Sequence, residues 1–405
     1  MALSTIEEAV AQLRNGGMVV VVDDEDRENE GDLIMAAEDV TPESMAFFLE
    51  HTSGVFCVPL ESERADELEL PLMVVANTEA QRTAFTVTVD YRHGTTTGIS
   101  AHDRALTVRS LVDPSTLPND LNRPGHIFPL RYRVGGVLQR AGHTEATVDL
   151  CRMAGKYPAG VLCEIVSADK SDMARFPELE EFAARHKLPI VAIADLIRYR
   201  RRHEKLVKRV AQSSLATEFG QFQAHVFESV LDGEQHLALV YGDIENVKNV
   251  LVRVHSECLT GDALGSLRCD CGPQLHMSLA KVAAEGAGVV VYLRGQEGRG
   301  IGLAHKIRAY ALQEDGRDTV DANLDQGLPV DSRQYGIGAQ ILVDLGVTSM
   351  RLMTNNPVKY GGLEGFGLDI VERVPLESRP NPFNIEYLRT KRERMGHLLE
   401  GLDDI

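Results

Sequence analysis

Long apolar runs, basic charge and cysteine are all scarce in this sequence, and each scarcity excludes something. No stretch of the 405 residues approaches the roughly 18–20 consecutive apolar residues of a membrane-spanning helix. No membrane partner is therefore expected. Lysine and arginine number 42 against 60 acidic residues, a formal net charge of −18. A general nucleic-acid binder needs a basic face for the phosphates, so nucleic acid is not an expected partner either. The opening segment MALSTIEEAV has neither the basic nor the apolar stretch of a secretory signal. A cytoplasmic location follows as the expectation, and reducing conditions there make disulfides rare. No internal repeat and no low-complexity segment is found.

What is present reads as an ordinary globular chain, 43% hydrophobic and 25% charged, long enough for two domains. Ser4 and Glu7 form a capping box, Ile6, Ala9, Val10 and Leu13 share one helical face, and Gly16–Gly17 ends that helix. MVVVV (residues 18–22) reads as a buried strand, and Thr41-Pro42 starts a second helix. FTVTV (85–89) alternates like a strand, and PIVAIADLI (189–197) reads as the strand closing the first half. Composition then shifts. RYRRRHEKLVKR (198–209) is the most basic segment, followed by the small, polar AQSSLAT, which predicts a linker or exposed connecting helix. The expected domains are residues 1–202 and 203–405. In the second half VLVRVHSE and GVVVYL read as strands, while PQLHMSLAKVAAEG, LAHKIRAYALQEDG and NIEYLRTKRERMGHLL read as helices. Strands and helices intermix in both halves, so an α+β (mixed α/β) fold is predicted for each.

Half of the six cysteines, Cys258, Cys269 and Cys271, fall inside SECLTGDALGSLRCDC. Three thiolates with an open fourth position suit a catalytic zinc, whose water becomes a nucleophile near neutral pH. A C-x-C pair on an extended segment places both sulfurs on one face. Buried free cysteine is the alternative reading. RVHSE precedes the first cysteine, and the glycine-rich RGQEGRGIGL follows a predicted strand and opens a helix, a natural anion site. With Arg253, Arg294 and Arg299 it suggests a polyphosphate held near a metal.

RVHSECLTGDALGSLRCDCGPQL, QEGRGIGL, DTVDANLDQGLPVDSRQYG and LMTNNPVK together resemble GTP cyclohydrolase II of riboflavin biosynthesis, across essentially the whole second half. The resemblance implies zinc on Cys258, Cys269 and Cys271. It also implies GTP contacts from Arg253, Val254, His255, Ser256, Glu257, Gln274, Glu297, Gly298, Arg299, Thr319, Thr354 and Lys359. Asp331 matches the family's proton acceptor, Arg333 its proposed nucleophile towards the α-phosphorus, and Tyr310 an active-site tyrosine. A guanidinium stays protonated and has no lone pair ready for attack, so a charge-clamping role for Arg333 stands beside the covalent one. The implied products are formate, diphosphate and a diaminopyrimidinone ribosylamine phosphate, with Mg²⁺ bridging the triphosphate oxygens.

The first half carries an acidic run, DDEDRENEGD, with seven acids between Asp23 and Asp32. It supplies much of a charge asymmetry of about −13 over residues 1–200 against about −5 over 201–405. A solvated loop accounts for such a run; a divalent-cation site is the functional alternative. TTTGISAHDR, NRPGHIFPLR, RAGHTEATVDL and PAGVLCEI add further sets of Arg, His, Thr and acid. Together these motifs resemble 3,4-dihydroxy-2-butanone 4-phosphate synthase. By that resemblance Arg27, Glu28, Asp32, Arg140, Ala141, Gly142, His143, Thr144 and Glu164 contact ribulose 5-phosphate. Glu28 and His143 hold Mg²⁺ or Mn²⁺, two ions in all, while His126 and Glu164 are essential to catalysis. Thr52 and Glu50 depart from common family residues. Cys57 either lines the site or belongs to the core, and Cys151 and Cys163 are expected to be structural. The order of the halves matches the fused bifunctional riboflavin biosynthesis family, which implies two formate-releasing activities and a homodimer. The rival readings are one live half beside a structural one, and a zinc-dependent regulator that binds GTP or RNA.

Overall fold

The computed structural model describes residues 3–25, 27–74, 76–79, 81–314, 316–328, 335–356 and 366–399. Two compact units divide the chain, Met1–His203 and Glu204–Ile405. Both are mixed α and β, as the interleaved patterns predicted.

In the first unit the strands are β1 (Met18–Val22), β2 (Gly31–Ala36), β3 (Cys57–Leu60), β4 (Val89–Tyr91), β5 (Leu121–Arg131), β6 (Gly160–Glu164) and β7 (Ile190–Ala192). They form one sheet in the order β4-β5-β3-β6-β2-β1-β7. Both faces are covered: Val20, Leu33 and Met35 enter one core, Val19, Val21 and Ile34 the other. A strand buried on both faces reads as an unbroken apolar run, which is why MVVVV lacks alternation. β1 and β2 pair antiparallel, so the acidic run is the loop between them. β2 also pairs with β6, with Asp32 directly across from Glu164.

In the second unit β8 (Val207–Thr217), β9 (Gly220–Ser229) and β10 (Gln235–Tyr241) form an antiparallel meander. β11 (Val250–Ser256), β12 (Gly288–Leu293), β13 (Ser349–Met353) and β14 (Asp369–Val374) are parallel to one another. The order is β14-β13-β11-β12-β10-β9-β8. RVHSE ends β11, RGQEGR follows β12 and TNN follows β13, so all three motifs sit at the carboxyl ends of parallel strands. Open α/β sheets bind ligands there.

Several local expectations need correction. The capping box is Thr5 with Glu8, one residue later than Ser4 and Glu7, because the helix begins at Ile6. Of residues 85–89 only Val89 joins a strand, β4; before it lie isolated bridges from Phe85 to Leu130 and from Thr86 to Leu72. The Thr86 N–H donates to the Pro129 carbonyl at 3.0 Å, but a proline has no N–H to return, so the ladder stops. The strand predicted over 189–197 ends at Ala192. A helix, Ile193–His203, continues from it and buries Ile193, Leu196 and Arg200 at helical spacing. Residues 198–203 of the basic segment are therefore the end of that helix, residues 207–209 open β8, and AQSSLAT belongs to β8 rather than to a linker. All six cysteines are free. No helix among the described residues is long and apolar enough to cross a membrane.

Two candidate active sites

In the first unit Asp23 organises the β1–β2 loop. Its Oδ2 accepts from Arg27 Nη1 at 2.7 Å and from the Glu28 N–H at 3.1 Å, and its Oδ1 from the Glu30 N–H at 2.9 Å. Those bonds turn Glu28 towards His143, the first residue of helix His143–Met153; Glu28 Oε2 lies 3.6 Å from His143 Nδ1. Asp23, Glu28 and His143 each bring a ligand atom within 4.8 Å of the others. Asp32 joins them, 3.9 Å from His143 Nδ1, and its buried Oδ1 has no hydrogen-bond partner among the described residues. Burial pushes the Asp32 carboxyl well up. Burial also works against a charged His143, but Asp32 and Glu28 more than offset it and raise that imidazole. A carboxylate-rich nest with an orphaned buried oxygen and a proton on its histidine fits a hard cation, which would displace that proton.

The neighbouring groups fall into three sets. Glu164 Oε2 accepts from the Ser53 hydroxyl at 2.6 Å, and that hydroxyl lies 3.2 Å from the Cys163 sulfur. His126 uses Nδ1 towards Asp90 Oδ2 at 2.7 Å, and its N–H donates to Asp90 Oδ1 at 2.9 Å. Arg140 is ion-paired to the buried Glu145 at 2.7 Å and donates to Thr83 Oγ1 at 3.0 Å. Gly142 leaves room for this: a Cβ there would meet Arg140 at 2.4 Å and Arg27 at 3.1 Å. Ala141 is exposed, and Thr144 is buried in the first turn of the helix. None of the hydrogen bonds described for His126 reaches the Glu28–His143 cluster. Cys57 is a core residue, 3% exposed. Burial pushes the Cys151 and Cys163 thiols to about 12.

In the second unit the sulfurs of Cys258, Cys269 and Cys271 all lie within 4.8 Å of one another. The C-x-C pair is not extended, as the spacing suggested. Cys271 begins helix Cys271–Glu285, and the turn into that helix brings its sulfur back to Cys269. Glycine makes the fit possible, since a Cβ on Gly261 would lie 2.7 Å from the Cys269 sulfur and 3.0 Å from that of Cys258. Thiol donation from Cys269 and Cys271, with Lys306 Nζ 3.0 Å away, pulls the Cys258 thiol far below its usual range. Three clustered sulfurs, one of them favoured as a thiolate, form a donor set that fits zinc.

The surroundings are built by strand alternation. Arg253 and His255 share the β11 face covered by helix Cys271–Glu285, while the Val254 side chain enters the core on the other face. His255 Nε2 is 3.1 Å from both oxygens of Asp262, which also accepts from Tyr292 and from the Cys258 N–H at 2.9 Å each. Ser256 donates to Gln296 at 2.7 Å, and Glu257 accepts from the Gly295 N–H at 2.8 Å. The Glu297 carboxylate is engaged by Lys306 and by the Leu259 N–H, at 2.6 Å each. Gly298 and Arg299 both take left-handed backbone, φ 61° and 66°, a conformation a non-glycine residue adopts at a cost and commonly at functional sites. Arg253, Gln274, Arg299, Tyr310, Thr319 and Thr354 line one pocket with the three cysteines. Asp331, Arg333 and Lys359 lie outside the described residues.

Asp23, Asp90, Ser53, Asp262 and Lys306 had not been singled out from sequence. Asp23 belonged to a noted run. The others owe their roles to partners 36 to 111 residues away, except Asp262, whose partners His255 and Cys258 are close and which a reading of SECLTGD could have found.

Each unit thus holds its own constellation of acid and base groups with a cluster able to hold a metal ion, which defines a two-site enzyme. Residues 7–199 match the family 3,4-dihydroxy-2-butanone 4-phosphate synthase, and residues 208–375 match GTP cyclohydrolase II. The riboflavin biosynthesis protein RibBA of Nocardia farcinica is 61% identical over 402 residues, 99% of this chain and 97% of that protein. The probable bifunctional riboflavin biosynthesis protein RIBA 1, chloroplastic, of rice, Oryza sativa subsp. japonica, is 60% identical over 397 residues, 98% of this chain and 74% of that protein. Among solved structures, RibBX of A. baumannii, described as a two-domain 3,4-dihydroxy-2-butanone 4-phosphate synthase, is 39% identical with a TM-score of 0.70. The match covers 93% of this chain and 100% of that one.

The chain belongs to the RibBA family of bifunctional riboflavin biosynthesis proteins. It is a lyase and a hydrolase in one chain. It converts ribulose 5-phosphate to 3,4-dihydroxy-2-butanone 4-phosphate and formate. It converts GTP to 2,5-diamino-6-(ribosylamino)pyrimidin-4-one 5′-phosphate, formate and diphosphate. The single-live-half and regulator readings fall away.

Proposed function

We propose that the two reactions are run by the two constellations separately, the synthase by residues 1–202 and the cyclohydrolase by residues 203–405. In the first, Glu28 and His143, with Asp23 and Asp32 beside them, hold Mg²⁺ or Mn²⁺, two ions in all. Such a cation supplies charge stabilisation for an enediolate. With Nδ1–H donated to Asp90, His126 presents Nε2 as a proton acceptor for enolisation of the sugar. Glu164, steadied by the Ser53 hydroxyl, is the second proton-transfer group. Arg27 and Arg140, with the 141–144 turn, take the sugar and its phosphate.

In the second, Cys258, Cys269 and Cys271 hold zinc, which supplies Lewis acidity for water addition at the guanine ring. Lys306 donates to the Cys258 sulfur, and Asp262 fixes the ring of His255. Arg253 and Arg299, with Gln274, Thr319 and Thr354 around the pocket and Lys359 beyond the described residues, bind GTP, its triphosphate carrying Mg²⁺. Val254, Ser256, Glu257, Glu297 and Gly298 contribute backbone or shape the loops. Asp331 is the proton acceptor and Arg333 faces the α-phosphorus. A cytoplasmic homodimer that uses neither nucleic acid nor membrane completes the proposal.

The observation that carries this reading is the pair of ligand clusters, oxygen and nitrogen in one unit and sulfur in the other. The test is formate release from each substrate after selective metal removal. Restoring Mg²⁺ alone should revive the ribulose 5-phosphate reaction, and GTP ring opening should also need zinc. Dependence of both reactions on the same single metal would overturn the assignment.

A further inference from the structure

The helix Ile385–Met395 begins beyond residue 375, where the GTP cyclohydrolase II match ends, yet Tyr387 and Lys391 line the same pocket as the cysteines. A lysine is almost never buried unless paired, and Lys391 is 7% exposed. Its Nζ donates to Asp270 Oδ1 at 2.6 Å. Asp270, 2% exposed, is the residue between Cys269 and Cys271. Its other oxygen accepts from Gln274 Nε2 at 2.7 Å, and Gln274 Oε1 accepts from Arg253 Nη2 at 2.6 Å. Arg253 Nη1 donates to the Met353 carbonyl at 2.9 Å. A chain of four side chains therefore runs from the last helix to the central strand β11. The Lys391 ammonium also lies 4.6 Å from the centre of the Tyr387 ring, which has the Arg299 guanidinium 5.7 Å away.

Charge explains why a lysine belongs there. Three thiolates around a divalent cation carry a net negative charge, and the Asp270 carboxylate adds a second beside it. Buried like charges repel far more strongly than exposed ones, so the pair needs a cation in contact. We propose that Lys391 is a positioning residue of the GTP site: its ammonium neutralises Asp270 between two of the zinc ligands and, through Asp270, orients Gln274 and Arg253 towards the nucleotide. The C-terminal helix is then part of the nucleotide site. This inference rests on the zinc and GTP assignments proposed above.

The experiment compares the full-length parent with Lys391→Met and with the double variant Lys391→Met/Asp270→Asn. Zinc transfer to a chromophoric chelator is followed, beside KM and kcat for formate release from GTP. Formate from ribulose 5-phosphate reports that the rest of the chain is intact. Lys391→Met should weaken zinc retention about 10–100-fold and raise KM for GTP. The double variant should return zinc retention to within a few-fold of the parent, because no buried charge is left alone. Unchanged zinc retention and GTP kinetics in the single variant overturns the proposal. Equal losses in the single and double variants also overturn it, since helix packing rather than charge would then be responsible. A parent chain that holds no zinc sinks the zinc assignment itself and this inference with it, and that result is read before any variant.

Discussion

The two units assemble their candidate ion sites in opposite ways. In the second, all three cysteine sulfurs come from fourteen consecutive residues, gathered by one tight turn and the start of one helix. In the first, Asp23 and Glu28 come from a hairpin loop, but His143 arrives from a helix more than a hundred residues later. The thiolate site is therefore a local object, complete once a short segment folds. The carboxylate–imidazole site exists only after the sheet has formed and that helix has packed on it. A hard cation tolerates this, because oxygen ligands hold it in flexible geometry, whereas three thiolates must be brought together closely.

The largest effect that separates the sites is expected from Cys269→Ala. Formate from GTP should fall to background, a loss beyond the roughly 10–100-fold that removal of an outer hydrogen-bond partner costs, while ribulose 5-phosphate turnover stays near that of the parent. Metal analysis with circular dichroism checks it. Full zinc with full activity would break the thiolate assignment, and collapse of the second unit would make the zinc structural rather than catalytic.

Glu28→Gln is the mirror experiment. It should cut formate release from ribulose 5-phosphate by at least about 100-fold, since a neutral amide is a poor ligand for a hard cation, and leave GTP turnover nearly intact. Equal loss of both activities would show that the two units are not independent.

A smaller loss, about 100-fold, is expected from Asp90→Asn in the synthase reaction, because the amide no longer fixes the His126 proton on Nδ1. The readout is a pH–rate profile: the acidic limb, on which a proton acceptor loses activity, should move, with KM little changed. A profile that keeps its shape would mean that Asp90 merely supports the fold.

The mildest contrast needs no substitution. After zinc is stripped, the pocket-lining Cys258 should react with iodoacetamide at a rate nearly flat from pH 6 to 9, because its thiol is held well below its usual pKa. Cys151 and Cys163, at about 12, remain protonated thiols over that range and should label only on unfolding. At pH 9 a thiol of pKa 12 is only about one part in a thousand thiolate. Mass mapping of labelled peptides, with and without zinc restored, tests both halves of the contrast.

The same division governs how legible the molecule was. MVVVV, VLVRVHSE, GVVVYL and the helices after Cys271 and Leu303 folded as their patterns predicted, because each pattern matched the period of one element and the burial it received. Residues 193–197 read as strand in the sequence because an apolar run of that length fits either period, and only the burial of Ile193, Leu196 and Arg200 resolves it. Residues 85–89 had a strand's alternation but met Pro129 where a donor was needed. Among the site groups, the cysteine cluster, RVHSE and the acidic run announced themselves by crowding. Asp90, Ser53, Lys306 and Lys391 carried no such signal, since each is an ordinary residue until its distant partner is known.

Residue order by itself determined the two α+β units, the family of each half, and the chemical kinds of ligand available to each. Those properties reside in short-range pattern and in residue type, which a chain carries before it folds. The tertiary structure decided which carboxylate faces His143, which face of β11 offers Arg253 and His255, and which lysine neutralises Asp270. Those choices depend on burial and on distances of a few ångströms between segments far apart in the chain. Charge and hydrogen bonding acquire their strength only once water has been excluded between those segments.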